Sequence, residues 1–276
     1  TEEQLALLDG YLSAAEITVS KSPLHCPFDI QVRVFAGGET AFVQIISSHT
    51  NVVRIEKNGE ALLSKPFSEE AAQPPESRRS LTVEGIIAFA DEVDLDDVRA
   101  PIARQIEYNT AIAEAGLTGN YGAAIGKILL DSYGDSVQNR AKAWAAAGSD
   151  ARMNGCEKPV VINSGSGNQG MTASLPVIVY ARELKASEEQ LYRALVVSNL
   201  VTIHLKTGIG SLSAYCGATS AGAGAGAGVC YLYGGRYDEI AHTIVNALAI
   251  NSGMLCDGAK ASCAAKIASA VEAGLL

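Results

Sequence analysis

Alternating apolar and polar residues in the first quarter of the chain predict a small antiparallel sheet. The pairs Gly37-Gly38 and Asn58-Gly59 are hairpin-turn signals between the alternating segments. The opening sequence TEEQ has the pattern of a capping box, which predicts a first helix ending near Leu12. The predicted strands are residues 28–34, 41–46, 53–56 and 61–63.

From residue 81 onward, apolar residues recur at helical spacing. A polar, proline-bearing linker precedes this region. The predicted fold class is therefore α+β, with a small antiparallel-sheet domain and a flanking helix (1–70), a linker (71–80) and a larger, nearly all-α domain rich in Ala and Gly (81–276). The predicted helices are residues 81–93, 97–115, 121–147, 187–202, 238–251 and 259–276.

Composition and charge narrow the function classes. The 276 residues are 48% hydrophobic and 18% charged, which suits a globular protein with a large core. The net charge of −9 argues against nucleic acid or an anionic membrane surface as a partner. The stretch between Lys206 and Arg236 is uncharged, but Gly, Ala, Ser and Thr dominate it and suit close-packed helices better than lipid. No secretion-signal pattern opens the chain, so we expect a cytoplasmic protein with reduced cysteines.

Residues 163–170, NSGSGNQG, form a glycine-rich loop after the apolar run PVVI. Its G-x-G-x-x-G pattern is a weak match to a dinucleotide-binding loop, because Pro176 should shorten the following helix and no train of strands and helices follows. Residues 166–170 also resemble the S/T-x-G-N-x-G loop of pyridoxal-phosphate β-eliminating enzymes, with Lys142 roughly placed as the Schiff-base lysine. A tight turn that needs glycine for its backbone alone is a third interpretation.

The functional interpretations of this loop share one physical property. A glycine loop that leads into a helix N-terminus presents free N–H groups at the positive end of the helix dipole. Such a site suits an anion, and the carboxylate of an amino acid is a good candidate. The predicted substrate-binding residues of the loop are Asn163, Ser164, Gly165, Ser166, Gly167, Asn168, Gln169 and Gly170.

Five motifs, taken together and in order, resemble the bacterial L-cysteine desulfidase family, the single-chain relatives of the iron–sulfur L-serine dehydratase α chain. The resemblance spans nearly the whole chain from about residue 40, and it depends on the combination rather than on any one motif. The motifs are SSHTNVVRIE (47–56), SDARMNG (149–155), NSGSGNQG (163–170), LSAYCGAT (212–219) and SGMLCDGAKASCAAKI (252–267).

The resemblance implies a [4Fe–4S] cluster held by three cysteine thiolates that leave one iron open. Cys216 and Cys256 match two of these ligands. The family's third ligand lies in an N-terminal Gly-Cys-Thr-Glu-Pro segment that this sequence lacks. We therefore expect a fragment of a longer protein, with Cys263 as a substitute ligand. The other cysteines, Cys26, Cys156 and Cys230, are expected to be structural.

The implied reaction is β-elimination by a lyase. L-Cysteine would yield sulfide and aminoacrylate, which hydrolyses to pyruvate and ammonia, and L-serine would lose water in the same way. The open iron would act as a Lewis acid on the leaving group, while a separate base removes the α-proton.

Further residues are predicted around this chemistry. Arg152, oriented by Asp150, is expected to clamp the substrate carboxylate. Thr50 and Asn51 are expected to contact the substrate, because they follow a strand of the small domain. The predicted catalytic residues are His49, as an acid or base, and Lys206 and Lys260, as bases or as cations that offset cluster charge.

Alternatives from other classes stay open at this point. The chain could be a pyridoxal-phosphate lyase, a catalytically incomplete fragment, or a binding module without chemistry. The partner in each case is a small amino acid, with no nucleic acid or membrane involved. A homodimer that buries the Ala/Gly-rich helices is also expected.

Overall fold

The computed structural model describes residues 2–26, 28–67, 76–210 and 213–276. The chain divides into two compact units, Thr1–Gln73 and Pro74–Leu276. The first contains a sheet, and every described secondary-structure element longer than an isolated bridge in the second is a helix. The predicted α+β class is therefore confirmed.

The first unit contains a four-stranded antiparallel sheet in the order β1-β2-β3-β4. Both hairpin predictions are confirmed, because Gly37, Gly38, Asn58 and Gly59 all adopt positive φ at the turns. The capping-box prediction begins at Thr1, which lies outside the described residues. The elements are α1 (Glu2–Ala6), α2 (Leu8–Ala14), β1 (Asp29–Ala36), β2 (Glu39–Ile46), β3 (Val52–Lys57) and β4 (Glu60–Ser64).

The second unit is a bundle of helices around a large apolar core and two smaller apolar clusters. Among the described residues, no helix is long and apolar enough to cross a membrane. The helices are α3 (Glu76–Arg79), α4 (Val83–Glu92), α5 (Leu95–Thr118), α6 (Ile125–Tyr133), α7 (Val137–Met153), α8 (Gly167–Glu183), α9 (Glu188–Ile209), α10 (Gly217–Leu232), α11 (Tyr237–Ile250) and α12 (Ser262–Leu275).

Two local predictions for this unit are wrong. The single helix predicted over residues 121–147 is two helices, because Gly134 ends α6 with φ +79° and Ser136 caps α7 by accepting a hydrogen bond from Asn139 N–H. Pro176 does not shorten the helix after the glycine loop, since α8 continues through it to Glu183. Helix α8 is buried along nearly its whole length, and that burial outweighs the local cost of the proline.

Helix α10 lies at the centre of the bundle and packs against α8, α9, α11 and α12. Its alternating Ala-Gly sequence allows neighbouring backbones to approach on two sides. A Cβ atom at Gly222 or Gly226 would overlap carbonyl groups of α12, and one at Gly224 or Gly228 would collide with α9. The glycines therefore serve close backbone packing within the chain, and the homodimer expected to bury these helices stays a prediction.

Residues 121–124 form a turn that Asp150 of α7 holds in place. The buried Asp150 carboxylate accepts a hydrogen bond of 2.7 Å from the backbone N–H of Ile125 and lies beside the N–H groups of Ala123 and Gly126. Among the described residues Asp150 makes no ion pair with Arg152, so the prediction that it orients Arg152 is wrong. Burial raises the pKa of Asp150 above its ordinary value, although the N–H groups act in the opposite direction.

We expect Gly226→Ala to lower the free energy of unfolding by about 2–3 kcal/mol, because the new methyl group has no space beside the Gly274 carbonyl of α12. The matched control is Gly208→Ala near the end of α9, where no atom lies within 4 Å of the new Cβ. That change should be neutral or stabilise by about 0.5–1 kcal/mol. Urea unfolding of both variants tests the packing, and equal effects would contradict it.

The raised pKa of Asp150 makes a prediction about pH. A carboxyl with a raised pKa in the folded state contributes stability that is present at pH below its unfolded pKa and is lost as pH rises through the folded pKa. The free energy of unfolding of Asp150→Asn, measured relative to that of the wild type, should therefore increase as the pH rises from about 4 to about 7. Exposed Asp131→Asn controls for net charge. Parallel curves for Asp150→Asn and the wild type would contradict this explanation.

Candidate functional site

The glycine loop is a tight turn at the N-terminus of α8. Asn163 and Ser166 exchange backbone hydrogen bonds of 3.1 and 3.0 Å, and the two residues between them have positive φ, +50° at Ser164 and +84° at Gly165. This is a type I′ turn, which is unusual for serine at its first central position. The Ser164 hydroxyl donates to Asn163 Oδ1 at 2.8 Å and supports that conformation.

The first turn of α8 begins without a side-chain cap among the described residues. Ser166 occupies the N-cap position, but its side chain accepts no capping hydrogen bond within the described part of the chain. The backbone N–H groups of Gly167, Asn168 and Gln169 precede the first helical hydrogen bond, which Gly170 N–H donates to Ser166. These groups and the helix dipole favour an anion at this point.

Arg152 from the end of α7 lies over the same helix N-terminus. A Cβ atom at Gly167 would be 2.5 Å from Arg152 Nε, so glycine leaves the space that the guanidinium occupies. Arg152 donates to Asn168 Oδ1 at 3.3 Å and has no carboxylate partner among the described residues. Burial lowers its pKa, and Cys263 acts in the opposite direction. The half-buried cation thus adds to the positive potential of the helix end.

Gln169 connects the loop with the beginning of α10. Its side chain is buried, and Oε1 has no hydrogen-bond partner in the described structure. The amide lies against Gly217, where any Cβ would be 2.5 Å from Gln169 Nε2. A buried acceptor without a partner is costly unless a ligand completes it. Gly217 directly follows Cys216, so this acceptor lies beside the first predicted ligand.

Cys216 and Cys256, 40 residues apart in sequence, are brought together by a short antiparallel bridge. Tyr215 pairs with Leu255, Cys216 N–H donates to Met254 at 3.0 Å, and Cys256 N–H donates to Ala214 at 2.7 Å. Because side chains alternate along a strand, both cysteines point to the same face of the bridge. Cys216 is buried and Cys256 is exposed.

Cys263 and two lysines share this neighbourhood. Burial raises the pKa of Cys216, and Cys256 and Cys263 raise it further. Lys206 is only 5% exposed; burial lowers its pKa, while Cys216 and Cys256 oppose that change. Lys266 of α12 donates to the Leu255 carbonyl at 2.9 Å and pairs with Asp257. The predicted catalytic Lys260 lies on the exposed surface before α12.

A cavity of about 260 Å³ opens beside Cys216. Its walls are mainly apolar and include Tyr215, Leu248 and Met254, with Thr219 and Asn251 as polar members. The cavity can therefore hold a small, weakly polar group next to the thiol.

The remaining predicted residues belong to the first unit. His49, Thr50 and Asn51 lie in the turn between β2 and β3. The His49 ring is 4.9 Å from the Phe28 ring, and Asn51 Nδ2 donates to the Ile46 carbonyl at 2.9 Å. The side chain of Asn51 therefore stabilises its own turn, and the catalytic role of His49 stays a prediction.

Sequence reasoning missed a buried group of amides behind the loop. Asn109 of α5 bonds both the N–H and the carbonyl of Val161, at 2.9 and 3.3 Å. Asn199 of α9 accepts from Asn163 Nδ2 at 2.9 Å and from Gln105 Nε2 at 3.0 Å. The available signal was polar residues on otherwise apolar helix faces, because buried amides need partners.

The sequence of this chain is similar to those of several known bacterial proteins. A UPF0597 protein of Desulfitobacterium hafniense is 59% identical over 266 residues, which cover 96% of this chain and 62% of that protein. UPF0597 proteins of Lachnoclostridium phytofermentans and Treponema denticola are 54% and 49% identical, and each match covers 100% of this chain and 65% of the relative. The chain thus spans less than two thirds of the length of these relatives.

No solved structure matches the chain significantly. The family described as "Serine dehydratase alpha chain" matches residues 6–276, nearly the entire sequence. The chain therefore belongs to the serine dehydratase alpha chain family.

Proposed function

We propose that this protein is a β-eliminating lyase that converts L-cysteine to sulfide, pyruvate and ammonia with a [4Fe–4S] cluster. One observation carries the proposal: the uncapped N-terminus of α8 and Arg152 of α7, which has no carboxylate partner among the described residues, lie beside the cysteine group, connected through the contact of Gln169 with Gly217. An anion site and a group of thiols in one place suit a substrate that carries a carboxylate and a sulfur atom.

We assign the substrate carboxylate to the N-terminus of α8. Arg152 can offer two parallel N–H donors, and the first-turn N–H groups of α8 point to the same region. The unpartnered Oε1 of Gln169 can accept a hydrogen bond from the α-ammonium group. Together these contacts would orient the amino acid with its β-substituent toward the cysteines.

The thiols fit an iron–sulfur cluster better than a single ion. Among the described residues, no three His, Cys, Asp or Glu side chains are close enough to hold one metal ion. A cluster accepts thiolates that are farther apart, and Cys256 and Cys263 both lie near enough to Cys216 to raise its pKa. Lys266 and Arg152 would offset its negative charge. When bound, the cluster would supply Lewis acidity at the leaving group.

Lys206 is the strongest candidate for proton transfer in the second unit. Burial lowers its pKa, and its amine has no carboxylate partner within the described part of the chain. A desolvated lysine of this kind is neutral more often than an exposed one and can accept the α-proton. The roles predicted for His49 and Lys260 stay predictions.

L-Serine is the second candidate substrate, and the family description favours it. The mainly apolar cavity beside Cys216 favours L-cysteine instead, because a thiol loses less solvation there than a hydroxyl group. The pyridoxal-phosphate interpretation is disfavoured. Lys142, its Schiff-base candidate, is largely buried and forms an ion pair with Glu272 of α12.

Reconstitution of the full-length protein with iron and sulfide under anaerobic conditions tests the proposal. We expect broad absorbance near 400 nm and formation of sulfide and pyruvate from L-cysteine. Cys216→Ala and Cys256→Ala should each lower the rate by about a hundredfold or more, because each removes a ligand. Cys230→Ala, at the other end of α10, is the matched control. Activity that is indifferent to Cys216 and Cys256 would refute the proposal.

The carboxylate assignment makes a separate prediction for Arg152. Arg152→Met should raise KM for L-cysteine about tenfold or more, with a smaller change in kcat, because a charge-assisted contact to the substrate is lost. Arg152→Lys should recover only part of the loss, since lysine lacks the planar pair of donors. The control is Arg182→Met near the end of α8, where the guanidinium lies 5.3 Å from the Trp144 ring. Equal KM values for Arg152→Met and Arg182→Met would contradict the assignment.

A further inference from the structure

We infer that Asn199 and Gln105 are positioning residues that hold the substrate-carboxylate loop in shape through the side chain of Asn163. Neither residue belongs to the loop, and neither is assigned a contact with the substrate. The effect on substrate binding rests on the proposed function, whereas the effect on the shape of the loop does not.

The hydrogen bonds run from two helices to the loop. Asn163 Nδ2 donates to Asn199 Oδ1 at 2.9 Å and to the Asn199 carbonyl at 3.2 Å. Asn199 Nδ2 donates to Gln105 Oε1 at 2.8 Å, and Gln105 Nε2 donates back to Asn199 Oδ1 at 3.0 Å. The loop is thereby fixed to α9 directly and to α5 through α9.

Asn199 uses its full hydrogen-bonding capacity. Its Oδ1 accepts from Asn163 and Gln105, and its Nδ2 donates to Gln105 and to the Leu195 carbonyl at 2.8 Å. Only one orientation of the amide satisfies these partners. An aspartate at this position would keep the acceptors but would face two acceptor oxygens with no proton to donate.

The anchored residue controls a strained turn. Asn163 is 5% exposed, and its Oδ1 accepts the hydroxyl proton of Ser164, which adopts φ +50°. A left-handed serine is strained and persists only where its surroundings impose it. When the Asn163 side chain loses its anchor, the turn can relax. The N–H groups at the beginning of α8 then lose their common direction.

Asn109 anchors a different part of the same segment. It holds the backbone of Val161 before the turn and donates to Ser174 Oγ at 3.0 Å. The segment therefore has one anchor on its extended part and a second on its turn. Loss of the second anchor should affect residues 163–170 more than residues 159–161.

The test measures loop order without substrate. Hydrogen–deuterium exchange of the full-length wild type is compared with Asn199→Asp, Asn199→Leu and Gln105→Leu. We expect amide exchange in residues 163–170 to accelerate about tenfold or more in each variant. The matched control is Ser198→Ala, which removes a buried hydroxyl of α9 that donates to the Ala173 carbonyl at 2.6 Å. Its exchange in residues 163–170 should stay within about twofold of the wild type.

Steady-state kinetics with L-cysteine gives a second readout. The three variants should raise KM about tenfold while kcat changes less than about threefold, because binding geometry is lost and the reacting groups remain. The double variant Gln105→Leu/Asn199→Leu should be no worse than Asn199→Leu alone, since both changes break one connection.

The outcomes separate the two ideas. Unchanged exchange in residues 163–170, with only a general loss of stability, would overturn the positioning role. Faster exchange without any KM effect in an active enzyme would overturn its link to substrate binding. The wild type could also transform neither L-cysteine nor L-serine while the variants still exchange faster in residues 163–170. That result would refute the proposed function and support the role of Asn199 and Gln105 in holding the loop.

Discussion

The close approach of backbones around α10 is the constraint on which the second unit depends. Carbonyl groups of α9 and α12 lie where side chains would normally be, and glycine at Gly224 and Gly226 makes this arrangement accessible. The same requirement continues at Gly217, where the Gln169 amide occupies the space of a Cβ. Packing of α8 against α10 thus fixes the distance between the proposed anion site and Cys216. The same close packing therefore shapes both the core and the candidate site.

Features that depend on neighbouring residues were predictable from sequence. Gly37-Gly38 and Asn58-Gly59 indicated both hairpins, because turn geometry follows from the φ that these residues tolerate. Predictions failed where burial decided the outcome. Pro176 should have shortened α8, but a helix enclosed on nearly all sides keeps its form despite one lost hydrogen bond.

In the candidate site, too, local features were predictable from sequence and features that depend on distant contacts were not. The glycine loop could be proposed as an anion site from the sequence, because a helix N-terminus has the same physics in any protein. Cys216 and Cys256 came from resemblance, since their bridge pairs residues 40 positions apart. The partner of Asp150 was misjudged because it is the backbone N–H of Ile125, which no side-chain pattern encodes. Asn199 was overlooked because its amide partners, Asn163 and Gln105, come from two other segments of the chain.

The amide network behind the loop has a consequence for how the site responds to its surroundings. Asn163, Asn199 and Gln105 carry no charge, so their hydrogen bonds keep the same donors and acceptors from mildly acidic to mildly alkaline solution, and salt screens them little. Cys216 and Lys206, by contrast, are titratable, and burial raises the pKa of the Cys216 thiol and lowers the pKa of the Lys206 amine. The shape of the site and its state of charge are thus governed by separate sets of residues, and one can change while the other stays constant.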